Sequence, residues 1–110
     1  MNDAIRTRQI EIVDESNNVR IIIGVDNSSP TIRILDTRGC ERLVCSVDEE
    51  DQPQIGLLSE SGSLLVGIGV RDNFGTGINI FTPEGKLRIL SAIDDRGRVL
   101  TLSDIATDSN

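Results

Sequence analysis

The side chains able to do chemistry in this 110-residue sequence are carboxylates, arginines, two thiols and a single lysine; His, Tyr and Trp are absent. Without His the chain lacks the usual general base near neutral pH and the commonest metal ligand. Cys40 and Cys45 fall outside any C-x-x-C pattern, and no further Cys or His completes a zinc site. Cys45 alternates with aliphatic residues and reads as a small apolar strand residue. Cys40 reads as a turn residue, and both are expected to stay unpaired thiols. Ser and Thr are plentiful, yet Lys86, the sole lysine and the one base left to activate them, sits in an expected exposed turn. The acidic stretches Asp48-Glu49-Glu50-Asp51, Asp72-Asn73 and Asp94-Asp95 invite a calcium reading, but neither an EF-hand spacing nor a Gly-rich nonapeptide accompanies them. They read as hydrated loop carboxylates. Gly67-x-Gly69 and Gly75-x-Gly77 open no helix, so they cannot cradle a phosphate. No carboxylate pair is set apart for glycoside hydrolysis. The expectation is a protein that is not an enzyme and carries no cofactor or metal.

Charge narrows the partners. Eighteen Asp and Glu against 11 Lys and Arg give a net charge of −7. That opposes binding to nucleic acid or to an anionic membrane surface, both of which need a basic footprint. Phe74 and Phe81 are the only aromatics, which leaves no stacking platform for bases or sugars. The start, Met1-Asn2-Asp3-Ala4-Ile5-Arg6, lacks a secretory apolar stretch, and no apolar run reaches membrane-spanning length. A cytoplasmic protein without membrane insertion is expected.

The positioning elements follow from a repeat. Val25-Asp26, Val47-Asp48, Val70-Arg71 and Ile93-Asp94 recur at spacings of 22, 23 and 23. Interleaved with them, at the same spacings, are Asp14-Glu15-Ser16-Asn17, Asp36-Thr37-Arg38-Gly39, Ser59-Glu60-Ser61-Gly62 and Thr82-Pro83-Glu84-Gly85. Two interleaved turn series with one period mean that each repeat is a β-hairpin. Repeats fall at about 9–30, 31–53, 54–75 and 76–97, with a partial copy at 98–104 and a tail at 105–110, in a single domain over 1–110. Between turns the residues alternate. One set is Ile21-x-Ile23-x-Val25, Leu43-x-Cys45-x-Val47, Val66-x-Ile68-x-Val70 and Ile89-x-Ser91-x-Ile93. The other is Ile10-x-Ile12, Ile32-x-Ile34, Ile55-x-Leu57, Ile78-x-Ile80 and Leu100-x-Leu102. A period of two in Ile- and Val-rich segments specifies strands with one apolar face. With a four-residue loop at Glu15 to Asn18, Ile12 faces Ile21, Ile10 faces Ile23 and Val13 faces Arg20. The same arithmetic pairs Ile34 with Leu43, Leu57 with Val66 and Ile80 with Ile89.

The remaining positions carry two further patterns. Gly24, Ser46, Gly69 and Ala92 precede the second turns, and small residues there point to a close neighbouring backbone or room for the sheet to coil. Arg20, Arg42, Leu65 and Arg88 follow the first turns. Each Arg can lay its stem along an apolar neighbour at a solvated hairpin tip. The sharper reading is an arginine rim of Arg20, Arg42 and Arg88 that captures a carboxylate or phosphate, which Leu65 interrupts.

The fold class is all-β, an antiparallel meander of nine or ten strands, closed as a shallow barrel or completed by oligomerisation. An aliphatic face with no helix to cover it must be buried, since each such side chain is worth about 1.5–3 kcal/mol. Two functions fit. One is a non-enzymatic structural or protein-interaction module that self-associates or binds a protein partner. The other is a binding protein with an apolar or acyl ligand in a barrel interior and the Arg rim on its head group.

The strand, Asp-x-x-Gly, Arg-x-apolar-x-small-Val-Asp order, seen in Asp36-Thr37-Arg38-Gly39 with Arg42 and in Glu84-Gly85 with Arg88, resembles uncharacterised bacterial hairpin-repeat proteins. In outline it is similar to the β-flower fold, in which hairpins splay as petals around a shallow barrel with an apolar centre. The resemblance covers residues 9 to 104, with Ser59 and Leu65 departing from it. It implies that architecture and a bacterial source, and it brings no catalytic residues.

Overall fold

A computed structural model describes residues 3–71 and 75–103. The alternating segments form nine strands: β1 (Gln9–Val13), β2 (Val19–Asp26), β3 (Ser29–Leu35), β4 (Glu41–Val47), β5 (Pro53–Leu58), β6 (Leu64–Arg71), β7 (Gly75–Phe81), β8 (Leu87–Ile93) and β9 (Val99–Ser103). They pair in chain order as one antiparallel meander, and no helix occurs among the described residues.

One turn design recurs. The Asp14 N–H donates to the Asn18 carbonyl and the Asn17 N–H to the Asp14 carbonyl, both at 2.9 Å. The Asp14 carboxylate accepts from the Ser16 and Asn18 N–H groups at 2.9 and 3.0 Å. Asp36, Asp48 and Asp94 repeat this arrangement. Ser59 and Thr82 hold the same place with a hydroxyl, which accepts from the Ser63 and Lys86 N–H groups at 3.1 Å. The fourth residue of each turn has a left-handed backbone, which explains Gly39 (φ 88°) and the tolerated Asn17 (φ 69°).

Inside the first hairpins the register follows the alternation. Ile12 opposes Ile21, Ile34 opposes Leu43, Leu57 opposes Val66 and Ile80 opposes Ile89. Near the turns it differs. Val13 opposes Val19 rather than Arg20, because the loop is three residues long and a β-bulge follows it. The same shift occurs at Leu35, Leu58 and Phe81. A short loop plus one bulged residue consumes the same length as the four-residue loop, so the inner pairs are unchanged.

The last strand departs from the expected series. Leu100 opposes Ala92 and Leu102 opposes Leu90, so Leu100-x-Leu102 lies on the face opposite Ile89 and Ile93. The 94–98 turn has the hydrogen bonds of the 48–52 turn, and neither is followed by a bulge, but Leu100 comes six residues after Asp94 where Ile55 comes seven after Asp48, which puts Leu100-x-Leu102 on the other face.

The sheet does not close within the chain, and β1 and β9 are its two edges. Nine strands in a meander leave the first and last running in the same direction. Sealing them would need a parallel pair, unlike every other pairing in the sheet. The result is a single layer, 56 × 34 × 21 Å in Cα extent, in which no described side chain is fully buried.

Candidate functional site

Successive registers align the aliphatic residues into rows that cross the strands on one face. The first row is Ile12, Ile21, Ile34, Leu43, Leu57, Val66, Ile80 and Ile89, ending at Ser103. The second is Ile10, Ile23, Ile32, Cys45, Ile55, Ile68 and Ile78, then Ser91 and Thr101. A third row beside the second turns pairs Val25 with Pro30, Val47 with Pro53, Val70 with Thr76 and Ile93 with Val99. Each residue has lateral neighbours and nothing above it. Ile23, Ile34 and Ile68 remain 38–39% exposed, and Ile93 48%.

The opposite face is better sheltered although it is less apolar. In β3 the exposed residues are Pro30, Ile32 and Ile34, whereas Thr31, Arg33 and Leu35 are half-buried. In β7 the exposed Ile78 and Ile80 alternate with half-buried Gly77 and Asn79. Longer neighbours cover the small residues. A Cβ at Gly56 would lie 3.1 Å from Leu64 Cδ1. At Gly24 a Cβ would come 3.0 Å from the Arg8 carbonyl oxygen, and at Gly77 2.8 Å from the Ala92 Cβ. Of the small residues before the second turns, Gly24 is crowded by the backbone at Arg8, whereas a Cβ at Gly69 would make only ordinary 3.5 Å contacts with Gln54 and Pro53.

A groove of about 550 Å³ occupies the β1–β5 part of the aliphatic face, towards the second turns. Ile10, Ile23, Ile32, Cys45 and Ile55 line it, and Ile5, Thr7 and Arg8 form its edge. The arginines singled out in the sequence stand at the other end of the strands. Arg20 Nε donates to the Leu35 carbonyl at 3.0 Å, and its Nη1 lies 3.6 Å from the Asp14 carboxylate. Arg42 Nε donates to the Leu58 carbonyl at 2.8 Å, with Nη1 3.5 Å from Asp36. The β2–β3 and β4–β5 ladders end at Ile21–Ile34 and Leu43–Leu57, so each guanidinium continues its ladder one position past the last backbone pair. Arg88 occupies the equivalent bulge on β8, and none of the three arginines lines the groove.

The turn carboxylates are committed locally as well. The Asn18 N–H above all, with Ser16 and Arg20 adding to it, holds the Asp14 carboxyl below its ordinary value of 3.8, against a smaller effect of lost hydration. Cys40 N–H does the same for Asp36 and Arg98 N–H for Asp94. Among the described residues no group of three or more Cys, Asp or Glu is placed to hold a metal ion. Asp72-Asn73 and the 105–110 tail lie outside the described residues. Cys45 sits in the second aliphatic row and Cys40 in the 36–40 turn, both as free thiols.

Three rows at every second residue cover about 14 Å along a strand. No helix of the described residues is long and apolar enough to cross a membrane. No family model and no curated protein matches this sequence.

Proposed function

We propose that this chain is a non-enzymatic structural or protein-interaction module whose working surface is the aliphatic face of its sheet. The observation that carries the reading is a nine-stranded layer with no buried residue among the described residues and with its Ile, Val and Leu rows open to solvent. Ordering a residue costs about 1–2 kcal/mol of conformational entropy, and a layer without a core cannot offset that alone. Covering the face supplies what is missing, so folding and association are one process. Sedimentation of the purified protein tests this: an assembled species is expected. A lone monomer that keeps its strand signal at high concentration contradicts it.

The groove supports a second reading, a binding protein for an apolar or acyl ligand. Its walls are aliphatic and its volume of about 550 Å³ is of ligand size. Arg8 is the cation at its edge; the Arg20, Arg42 and Arg88 rim stands at the far turns. Native mass spectrometry of protein taken from its host should then show a bound lipid, and bare protein speaks against the idea.

A further inference from the structure

We infer that the aliphatic face is covered by the same face of further copies of this chain. This rests on the reading of that face as the working surface, and it names the partner. Size decides first. The first row crosses eight strands, about 34 Å at the usual strand spacing. An α-helix with its side chains is about 10–12 Å wide and would cover little more than two strands. A ligand in the groove would cover the β1–β5 part alone. With residues such as Ile32, Ile55 and Ile78 about 41–42% exposed, the open apolar area is on the order of 1,000 Å². That exceeds the largest patch of an ordinary monomer, about 300–600 Å². It reaches the roughly 800 Å² per partner of a stable interface.

Chemistry decides second. The first two rows contain no charged residue, and their polar members are Cys45, Ser91, Thr101 and Ser103. Interfaces between unlike proteins are anchored by Trp, Tyr and Arg, and the first two rows of this face contain none, Arg8 standing only at the groove's edge. A uniform field of medium aliphatic side chains is complementary to another such field, and the same face of a second copy has that extent. Glu11 and Arg33 point to the other side of the sheet and the turn carboxylates lie at its rims, so face-to-face contact leaves each copy's charge in water.

Packed sheets lie about 10 Å apart. Cys45, on the fourth of nine strands and in the second row, then falls inside the contact, whereas Cys40 remains in a turn at the rim. The experiment uses the full chain with Cys40→Ser and follows maleimide labelling of Cys45 beside sedimentation. The expected result is a homo-oligomer in which Cys45 labels about tenfold or more slowly than in urea. The Cys45→Ser protein, labelled at Cys40, should react faster under the same conditions. A homo-oligomer whose Cys45 labels at the unfolded rate overturns the inference, because the copies then meet elsewhere. An assembly with a different polypeptide on this face also overturns it, while the interaction reading stands. A folded monomer overturns both.

Discussion

Truncating Ile55 to Ala probes the aliphatic face where it is thickest. Ile55 lies in the second row between Cys45 and Ile68 and is 41% exposed in the single chain. Removing three methylene equivalents from a fully buried site costs about 2.4 kcal/mol at about 0.8 kcal/mol each, and more if a cavity remains. In a lone sheet only about three fifths of the residue is out of water, which limits the loss to about 1.4 kcal/mol. A covered face therefore predicts a loss of at least about 2.4 kcal/mol, and the surplus of about 1 kcal/mol is the partner's share. Urea unfolding followed by circular dichroism, at about 1 μM and about 100 μM protein, measures both the loss and its cause. For an associated fold the hundredfold change in concentration is worth about 2.7 kcal/mol of apparent stability. Coincident midpoints at the two concentrations, together with a loss of about 1.4 kcal/mol or less, would refute the claim that the face is covered.

Gly75→Ala should be severe: Gly75 has φ 78°, and a Cβ there would come within 1.6 Å of the Ile93 carbonyl oxygen, so a thermal melt should show at least about 3 kcal/mol of destabilisation. Gly67→Ala, whose Cβ would meet Leu64 Cδ2 at 3.4 Å, should stay within about 1 kcal/mol of the parent in the same melt. Asp36→Asn keeps an acceptor for the Arg38 and Cys40 N–H groups and should unfold near the parent, whereas Asp36→Ala loses both bonds and should unfold earlier in urea. Because the folded pKa values of Asp14, Asp36 and Asp94 lie below the ordinary 3.8, their contribution is complete above that value and fades as pH falls through the lowered ones. An acid titration should therefore show a loss of strand signal beginning below about pH 4, with Asp36→Ala losing less between neutral pH and acid than the parent. Ser59→Asp combined with Leu65→Arg restores to the third hairpin the carboxylate and guanidinium of the second, and a urea midpoint above the parent's is the expected result.

Strand identity and inner register were legible because both rest on period-two alternation, which Ile12–Ile21 and Ile34–Leu43 satisfy in one way only. The bulges were not legible. A three-residue loop with a bulge and a four-residue loop have the same residue count, so spacing cannot separate them, and only the pairs beside each first-series turn, such as Val13 with Val19 or Leu35 with Glu41, register the difference. The overturned β9 has another origin: Leu100 follows Asp94 by six residues where Ile55 follows Asp48 by seven, and alternation in Leu100-x-Leu102 by itself does not say which face it belongs to. The arginine pattern was visible, whereas its destinations, the Leu35 and Leu58 carbonyls, lie 15 and 16 residues further along on the next strand. The apolar groove draws on the N-terminal segment at Ile5 to Arg8, which has no periodicity to announce it.

An odd strand count has an implication for how such a chain can lengthen. Every inserted hairpin brings two strands, so the count stays odd and the two rims of the ribbon keep pointing the same way. Duplication therefore never offers a seam that the antiparallel pattern can stitch shut. It widens the ribbon instead, by about 10 Å for each hairpin. Width becomes a ruler, set by gene length, and two ribbons of unequal width would each leave bare aliphatic stripes when laid together.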